Sequence, residues 1–246
     1  MLAPRVPRLL GDARDPFPAT LKAMAKQLRL GLRRPADYDR GAFVDGPSNA
    51  GAREALDAWP SWPGGALALV GPEGVGKTHL ARAWAHDAGA LVLDRAAPDV
   101  SAAARRPVLL EDVDQGCDEE AVFHLINLAG QPGGGLLLTA RTRPAAWPAA
   151  LPDLRSRLNA LTVAEIEPPD DDVLRAVLTN FFRERNIKPH DDVYPYLLRR
   201  MERSIAGARE IVRRLDETEH PEIRPVSRVL ARQILEGDIE NLDLFD

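Results

Sequence analysis

The stretch GPEGVGKT, residues 71–78, matches the phosphate-binding pattern G-x-x-x-x-G-K-[ST] and constrains the fold more than any other feature of the chain. Its glycines let backbone N–H groups turn inward around phosphates, and the helix that follows presents its positive end to them. We expect Lys77 to reach the β and γ phosphates and the Thr78 hydroxyl to ligate magnesium. The residues expected to hold the nucleotide are Gly71, Pro72, Gly74, Val75, Gly76, Lys77, Thr78 and His79.

The sequence around this loop alternates between short apolar runs and amphipathic stretches. The run ALALV precedes the loop as a predicted strand, and THLARAWAHDAG follows it as a predicted helix. The runs LVLD, PVLLEDVD and GLLLTAR predict three further strands, and EEAVFHLINLAG predicts another helix. Such alternation is typical of an α/β fold with a mostly parallel sheet covered by helices.

The composition changes at EPPDDD, residues 167–172, and the chain beyond it has the periodicity of helices alone. Apolar stripes at helical spacing run through DDVLRAVLTNFFRERN, DDVYPYLLRRMERS and AREIVRRLDETEH. PVSRVLARQILEG is predicted to form a last short helix that ends at Gly237. We therefore predict an N-terminal arm over 1–39, an α/β core over 40–167, a small all-helical domain over 168–236 and a tail over 237–246.

A nucleoside triphosphate site of this type needs an acidic residue at the end of a second strand. PVLLEDVD supplies Asp112, to which we assign the magnesium role, with Glu111 as the alternative if the register is one residue earlier. The next position, where related ATPases often have a second acid, is Val113. Hydrolysis by the chain alone is therefore expected to be slow. A third strand ends in Thr139 and Arg141, near where such folds place a polar residue that senses the γ-phosphate. Thr139 is the candidate for this role, although any parallel sheet has polar residues at its strand ends.

Composition argues against several other kinds of function. A net charge of −5 disfavours a broad basic surface for duplex DNA. The single cysteine, Cys117, excludes an internal disulfide and offers no metal-binding spacing. No apolar run approaches the roughly 20 residues that span a bilayer, and the leader has no signal-peptide core. We therefore expect a cytoplasmic protein that has no membrane partner.

Three segments together resemble the DnaA group of AAA+ ATPases: GPEGVGKTHLARAWA, the upstream FVDGPSNAGAREAL, and LPDLRSRL with the helical piece that follows it. The resemblance covers about residues 40 to 235. DnaA continues into a helix-turn-helix DNA-binding domain, which this sequence is expected to lack, so the resemblance points to the Hda branch of the group. It implies an AAA+ core followed by a helical lid, and it implies ADP or ATP as the bound nucleotide.

The same resemblance implies a role for the arginines of LPDLRSRL. Arg157 stands where this group carries an arginine finger, which reaches across an interface toward the ATP of a neighbouring DnaA. Arg155 is the alternative, and an ordinary surface arginine is the simplest other interpretation. An arginine supplied in this way raises phosphate hydrolysis by roughly 10³ to 10⁵. A second copy of this chain is a further possible partner.

The N-terminal arm contains QLRLGL, residues 27–32, in which Leu28, Leu30 and Leu32 alternate with other residues. In the Hda branch, a peptide of the pattern Gln-Leu-x-Leu-x-Leu docks on the sliding clamp of DNA polymerase III. The resemblance thus implies that Gln27 and these leucines bind the clamp, and that the protein meets DNA only through it. An edge strand gives the same alternation. The C-terminal NLDLFD resembles a second clamp-binding form, although an acidic tail would look the same.

Two positions depart from the pattern of the group. The lid arginine usually aimed at the nucleotide falls near Ala206, so either Arg203 or Arg209 substitutes for it or nucleotide sensing is altered. Arg141 stands where the relatives tend to have an aspartate. The leading hypothesis is a regulator that stimulates hydrolysis of DnaA-bound ATP and so prevents re-initiation. The alternatives are an autonomous ATPase that loads or remodels proteins on DNA and an adaptor in which the nucleotide only stiffens the fold.

Overall fold

The computed structural model of the protein describes residues 40–217 and 226–242, the latter without side chains from 236 onward. Gln27, Leu28, Leu30 and Leu32, the residues expected to bind the clamp, lie outside the described residues. The described helices are α1 (Pro47–Asp57), α2 (Lys77–Ala88), α3 (Glu119–Ala129), α4 (Pro152–Asn159), α5 (Asp171–Glu184), α6 (Val193–Leu198), α7 (Ile205–Glu217) and α8 (Arg228–Leu242).

Five strands form one parallel sheet in the order β2-β3-β4-β1-β5. They are β1 (Ala66–Val70), β2 (Leu91–Leu93), β3 (Pro107–Leu110), β4 (Gly135–Ala140) and β5 (Thr162–Glu165). The predicted α/β architecture with a parallel sheet is therefore confirmed. The sequence analysis missed β5, because this four-residue strand lies at an edge and only Ala164 is fully buried.

Successive residues of the central strands face opposite layers of helices, as the two-residue period of a strand requires. On β1, Ala68 and Val70 pack toward α3 and α4, whereas Leu67 and Leu69 pack toward α1 and α2. All five residues of β1 and all six of β4 are buried. These strands carry continuous apolar runs because helices cover both faces of the sheet.

The carboxyl ends of β1, β3 and β4 meet at one edge of the sheet, because neighbouring strands run in the same direction. The register pairs Leu69 of β1 with Thr139 of β4, and Leu110 of β3 with Leu138 of β4. The loop after β1 therefore lies beside the residues that follow β3 and β4. Ligands of open α/β sheets bind at this edge.

Helices α5 to α8 pack around an apolar cluster of their own, which includes Leu174, Phe182, Leu197 and Val212. Two helix predictions for this region need correction. The helix predicted over DDVYPYLLRRMERS is limited to Val193–Leu198. The last helix continues through Gly237 to Leu242, because a glycine inside a helix costs only about 1 kcal/mol and no proline follows to stop it.

Candidate functional site

The loop between β1 and α2 has a backbone shape that favours glycine. Gly71, Gly74 and Gly76 have φ angles of 152°, 75° and 105°, which side chains rarely adopt. At Gly71 a Cβ atom would also lie 2.4 Å from the carbonyl oxygen of Ile166. At Gly76 it would lie 2.9 Å from the Phe43 ring, which in turn contacts the His79 ring at 5.4 Å between centroids. Both backbone conformation and space thus explain the glycines of the motif.

Helix α2 begins directly after this loop, with Gly76 as its N-cap. As a glycine, this N-cap residue has no side chain that could form a capping hydrogen bond. The first N–H groups of a helix need acceptors that the helix itself does not provide, and the helix dipole favours an anion there. Thr78 lies in this first turn and is exposed. The N-terminal end of α2 therefore has the features of an anion-binding site.

Lys77 is 7% exposed, and its ammonium group lies within the loop. Its Nζ donates hydrogen bonds of 2.7 Å to the carbonyl oxygens of Gly71 and Pro72. Burial lowers the pKa of Lys77, and the nearby carboxylates of Asp112 and Asp114 oppose that shift. The structure thus brings together the lysine of the loop and the acids that follow β3.

Asp112 and Thr139, predicted to lie at the ends of two strands, are hydrogen-bonded to each other. The Asp112 N–H donates to Thr139 Oγ1 at 3.0 Å, and Thr139 is only 1% exposed. Strand β3 ends at Leu110 and not at Asp112, which has a left-handed backbone with φ of 54°. The buried hydroxyl on β4 therefore orients the turn that carries Asp112.

Glu111, the alternative acid, contacts a different residue. Its Oε2 accepts a hydrogen bond of 2.7 Å from Arg82 Nε on α2 and also contacts Arg82 Nη2. Its Oε1 is buried without a hydrogen-bond partner among the described residues. Its charge is not among those that shift the pKa of Lys77, whereas that of Asp112 is. Between the two acids, Asp112 is the one whose charge acts on the lysine of the loop, whereas Glu111 pairs with Arg82.

Asp114 is an acidic residue of this site that the sequence analysis missed. Its Oδ2 accepts a hydrogen bond of 2.9 Å from the Arg141 N–H, and its charge acts on Lys77. Val113, between the two acids, is 2% exposed and packs into the core. The spacing of Asp112 and Asp114 around a buried apolar residue is visible in the sequence. A short helical turn over Val113–Gln115 is what brings both acids near Lys77.

The start of α7 rests on the loop, and Ala206 lies at this contact. The Ile205 N–H donates to the Gly74 carbonyl oxygen at 2.8 Å, and a Cβ at Gly74 would lie 3.3 Å from that of Ala206. The two arginines expected to substitute here contact other residues. Arg203 pairs with Asp171 at 2.6 Å, and the Arg209 guanidinium lies 4.7 Å from the centre of the Phe181 ring.

The two arginines of α4 have different environments. Arg155 donates to the carbonyl oxygens of Ala145, Trp147 and Ala149 at 3.3, 2.7 and 3.3 Å, and so ties the preceding loop to the helix. Arg157 is exposed, and its side chain has no hydrogen bond or ion pair to the residues described. Arg157 is therefore available to an external group, whereas Arg155 stabilises its own chain.

No cluster of three or more histidine, cysteine, aspartate or glutamate side chains suited to a metal ion occurs within residues 40–217 and 226–242. A magnesium site built from Thr78 and Asp112 would thus take its other ligands from phosphate and water. Over the same ranges, no helix has the length and apolar character needed to cross a bilayer.

The sheet order, the glycine loop and the helices on both faces define an AAA+ P-loop ATPase fold. Domain III of DnaA from Thermotoga maritima superimposes with a TM-score of 0.69 at 18% identity, covering 82% of this chain and 97% of that one. AMPPCP-bound DnaA from Aquifex aeolicus superimposes with a TM-score of 0.67 at 17% identity, covering 85% of this chain and 72% of that one.

In sequence, the chain is homologous at low identity to the chromosomal replication initiator protein DnaA. It is 27% identical over 235 residues to DnaA of Thermomicrobium roseum, which covers 82% of this chain. The chain spans about half the length of that relative, 50%. No model of a known protein family matches the chain. The AAA+ part of DnaA is thus what this chain resembles.

Proposed function

We propose that this chain is an Hda-like regulator that binds ADP or ATP and stimulates hydrolysis of ATP bound to DnaA. The observation that carries the proposal is the contrast between the two arginines of α4, in a core that resembles that of DnaA. Arg155 is held by three carbonyl groups of its own chain, whereas Arg157 is exposed and has no partner in the described part of the protein. An arginine presented in this way is suited to the nucleotide of a second protein.

The loop after β1 supports the nucleotide-binding half of the proposal. Its glycines adopt the positive φ angles of a loop that turns N–H groups inward, and α2 begins there at Gly76, which has no side chain to cap the helix. Lys77 would bind the β and γ phosphates in place of the carbonyl groups that it now contacts. Thr78 and Asp112 would hold the magnesium ion, which neutralises phosphate charge when it is bound.

The regulatory half of the proposal depends on two contacts with other proteins. Residues 27–32 would bind the sliding clamp as an extended peptide, with Leu28, Leu30 and Leu32 in apolar pockets and Gln27 at the rim. This contact would concentrate the protein on clamps loaded on DNA. Arg157 would then stabilise the charge that develops on the phosphate of DnaA-bound ATP. The result is DnaA in its ADP form after replication has begun, in the cytoplasm.

The test is the hydrolysis of DnaA-bound ATP in the presence of DNA-loaded clamp. The reaction is followed without addition, with the full chain, and with its Gln27→Ala and Arg157→Ala variants. Arg143→Ala is the matched control, because Arg143 is also exposed on the connection to α4 and pairs with Glu165 at 2.6 Å. We expect the full chain and the control to accelerate hydrolysis, and the Gln27 and Arg157 variants to lose at least tenfold of that acceleration.

Two outcomes would overturn parts of the proposal. If Arg157→Ala accelerates hydrolysis as well as the full chain does, Arg157 is not the finger, and the adaptor hypothesis gains support. If the full chain accelerates nothing, the regulator function fails. DNA-stimulated ATP turnover by the chain alone, without any requirement for QLRLGL, would then favour the loader-like ATPase.

A further inference from the structure

Arg141 links the end of β4 to the phosphate-binding loop. Its guanidinium Nη2 lies 2.9 Å from Oε2 of Glu73, a residue within that loop. Its backbone N–H donates to Asp114 Oδ2 at 2.9 Å, which fixes the position from which the side chain extends. A cationic side chain is thus anchored by its backbone at the end of β4 and reaches the loop.

Arg141 and Lys77 both contact the phosphate-binding loop. The Arg141 guanidinium pairs with Glu73, and Lys77 Nζ donates hydrogen bonds of 2.7 Å to the carbonyl oxygens of Gly71 and Pro72. A phosphate group held by this loop is an anion that both cations can bind.

Within the described part of the lid, the residue that packs against this loop is uncharged. Ala206 occupies that contact, and Arg203 and Arg209 bind Asp171 and Phe181 instead. Within the described structure, the arginine that contacts this loop is Arg141, directly after the end of β4. Its partner there is the carboxylate of Glu73, which belongs to the loop itself.

We propose that Arg141 contacts the terminal phosphate of bound ATP, and that Glu73 holds the Arg141 guanidinium when no phosphate is there. This inference rests on the nucleotide-binding half of the proposed function. Glu73 and the phosphate compete for one guanidinium group, so Arg141 favours ATP over ADP and Glu73 weakens that preference. The pair makes the site sensitive to the state of the nucleotide without a lid arginine.

The exchange of partners is physically easy. The side chains of Arg141 and Glu73 are 48% and 75% exposed, and ion pairs so exposed contribute little to stability. An arginine–phosphate contact can form two parallel, charge-assisted hydrogen bonds. The incoming phosphate also repels the Glu73 carboxylate, which favours release of Arg141.

The test is equilibrium binding of ATP and of ADP, each with Mg²⁺, to the full chain and to four variants. These are Arg141→Ala, Glu73→Gln, the double variant and Arg143→Ala as the matched control. We expect Arg141→Ala to weaken ATP binding about tenfold and ADP binding less than threefold, and Glu73→Gln to strengthen ATP binding about threefold. In the double variant, the gain from Glu73→Gln should be smaller than in the single variant, because only the direct repulsion between Glu73 and phosphate is then relieved.

Equal losses for ATP and ADP in Arg141→Ala, or none, would overturn the inference. So would a gain from Glu73→Gln that is as large without Arg141 as with it. Melting curves of all variants separate these results from loss of fold. Because the assay contains neither clamp nor DnaA, it can fail while the hydrolysis assay succeeds, and the reverse also holds. If the intact chain binds neither nucleotide, this inference and the nucleotide-binding half of the proposed function fail together.

Discussion

The backbone N–H of Ile205 donates a hydrogen bond of 2.8 Å to the carbonyl oxygen of Gly74 and so joins helix α7 to the phosphate-binding loop. The next residue, Ala206, is exposed and lies against the same loop. A long side chain at position 206 would therefore extend beside the loop. A single substitution at position 206 could therefore place a cation at this contact.

We predict that Ala206→Arg strengthens ATP binding. A new charge-assisted contact at an exposed position contributes about 1 kcal/mol, which corresponds to roughly fivefold in affinity. Ala206→Gln is the control, since glutamine is also a good helix former but carries no charge. Titration with ATP checks the prediction, which would be wrong if both substitutions had the same effect.

The two arginines of α4 should differ in their effects on stability. Arg155→Ala removes donors to three carbonyl oxygens, so we expect the free energy of unfolding to fall by about 1–3 kcal/mol. Arg157→Ala should change it by less than about 0.5 kcal/mol, because the side chain is exposed and has no partner among the described residues. Urea denaturation of both variants measures this difference, and equal losses would contradict the assignment.

Asp112 and Glu111, the two candidates for the magnesium acid, should differ in their effects on magnesium binding. Mg²⁺ should increase the affinity for ATP, and we expect Asp112→Asn to make this increase about tenfold smaller. The reason is that the charge of Asp112 acts on Lys77 in the loop. Glu111→Gln should leave this gain within about twofold and lower stability by about 1 kcal/mol, because it weakens the pair with Arg82. ATP titrations with and without Mg²⁺ decide between them, and the opposite result would restore Glu111 as the magnesium acid.

Cys117 should react slowly with alkylating reagents at neutral pH. Burial raises the pKa of its thiol, and the carboxylates of Glu119 and Asp118 raise it further. The reactive thiolate is therefore scarcer than in a free cysteine at the same pH, and a higher pH is needed to form it. The rate of iodoacetamide labelling at pH 7 to 10, compared with a small thiol, tests this. Equal rates at pH 8 would contradict it.

The elements that the sequence predicted are those with strong local signals. The loop from Gly71 to Thr78 requires particular backbone angles, and β1, β3 and β4 carry apolar runs that only a buried strand tolerates. By contrast, β5 and the end of α8 were missed or misjudged. Strand β5 exists because it pairs with β1, and a lone Gly237 is a weak stop signal when the helix has other support.

What the sequence by itself determined is therefore local: the phosphate-binding loop, the alternation of strands and helices, and the candidate residues Lys77, Thr78 and Asp112. Only the tertiary structure decided which charged groups meet. The strand order β3-β4-β1 brings Asp114, Arg141 and the loop residue Glu73 together, although they come from three separate segments. The physical reason is that backbone conformation depends on neighbouring residues, whereas contact between charges depends on the path of the whole chain.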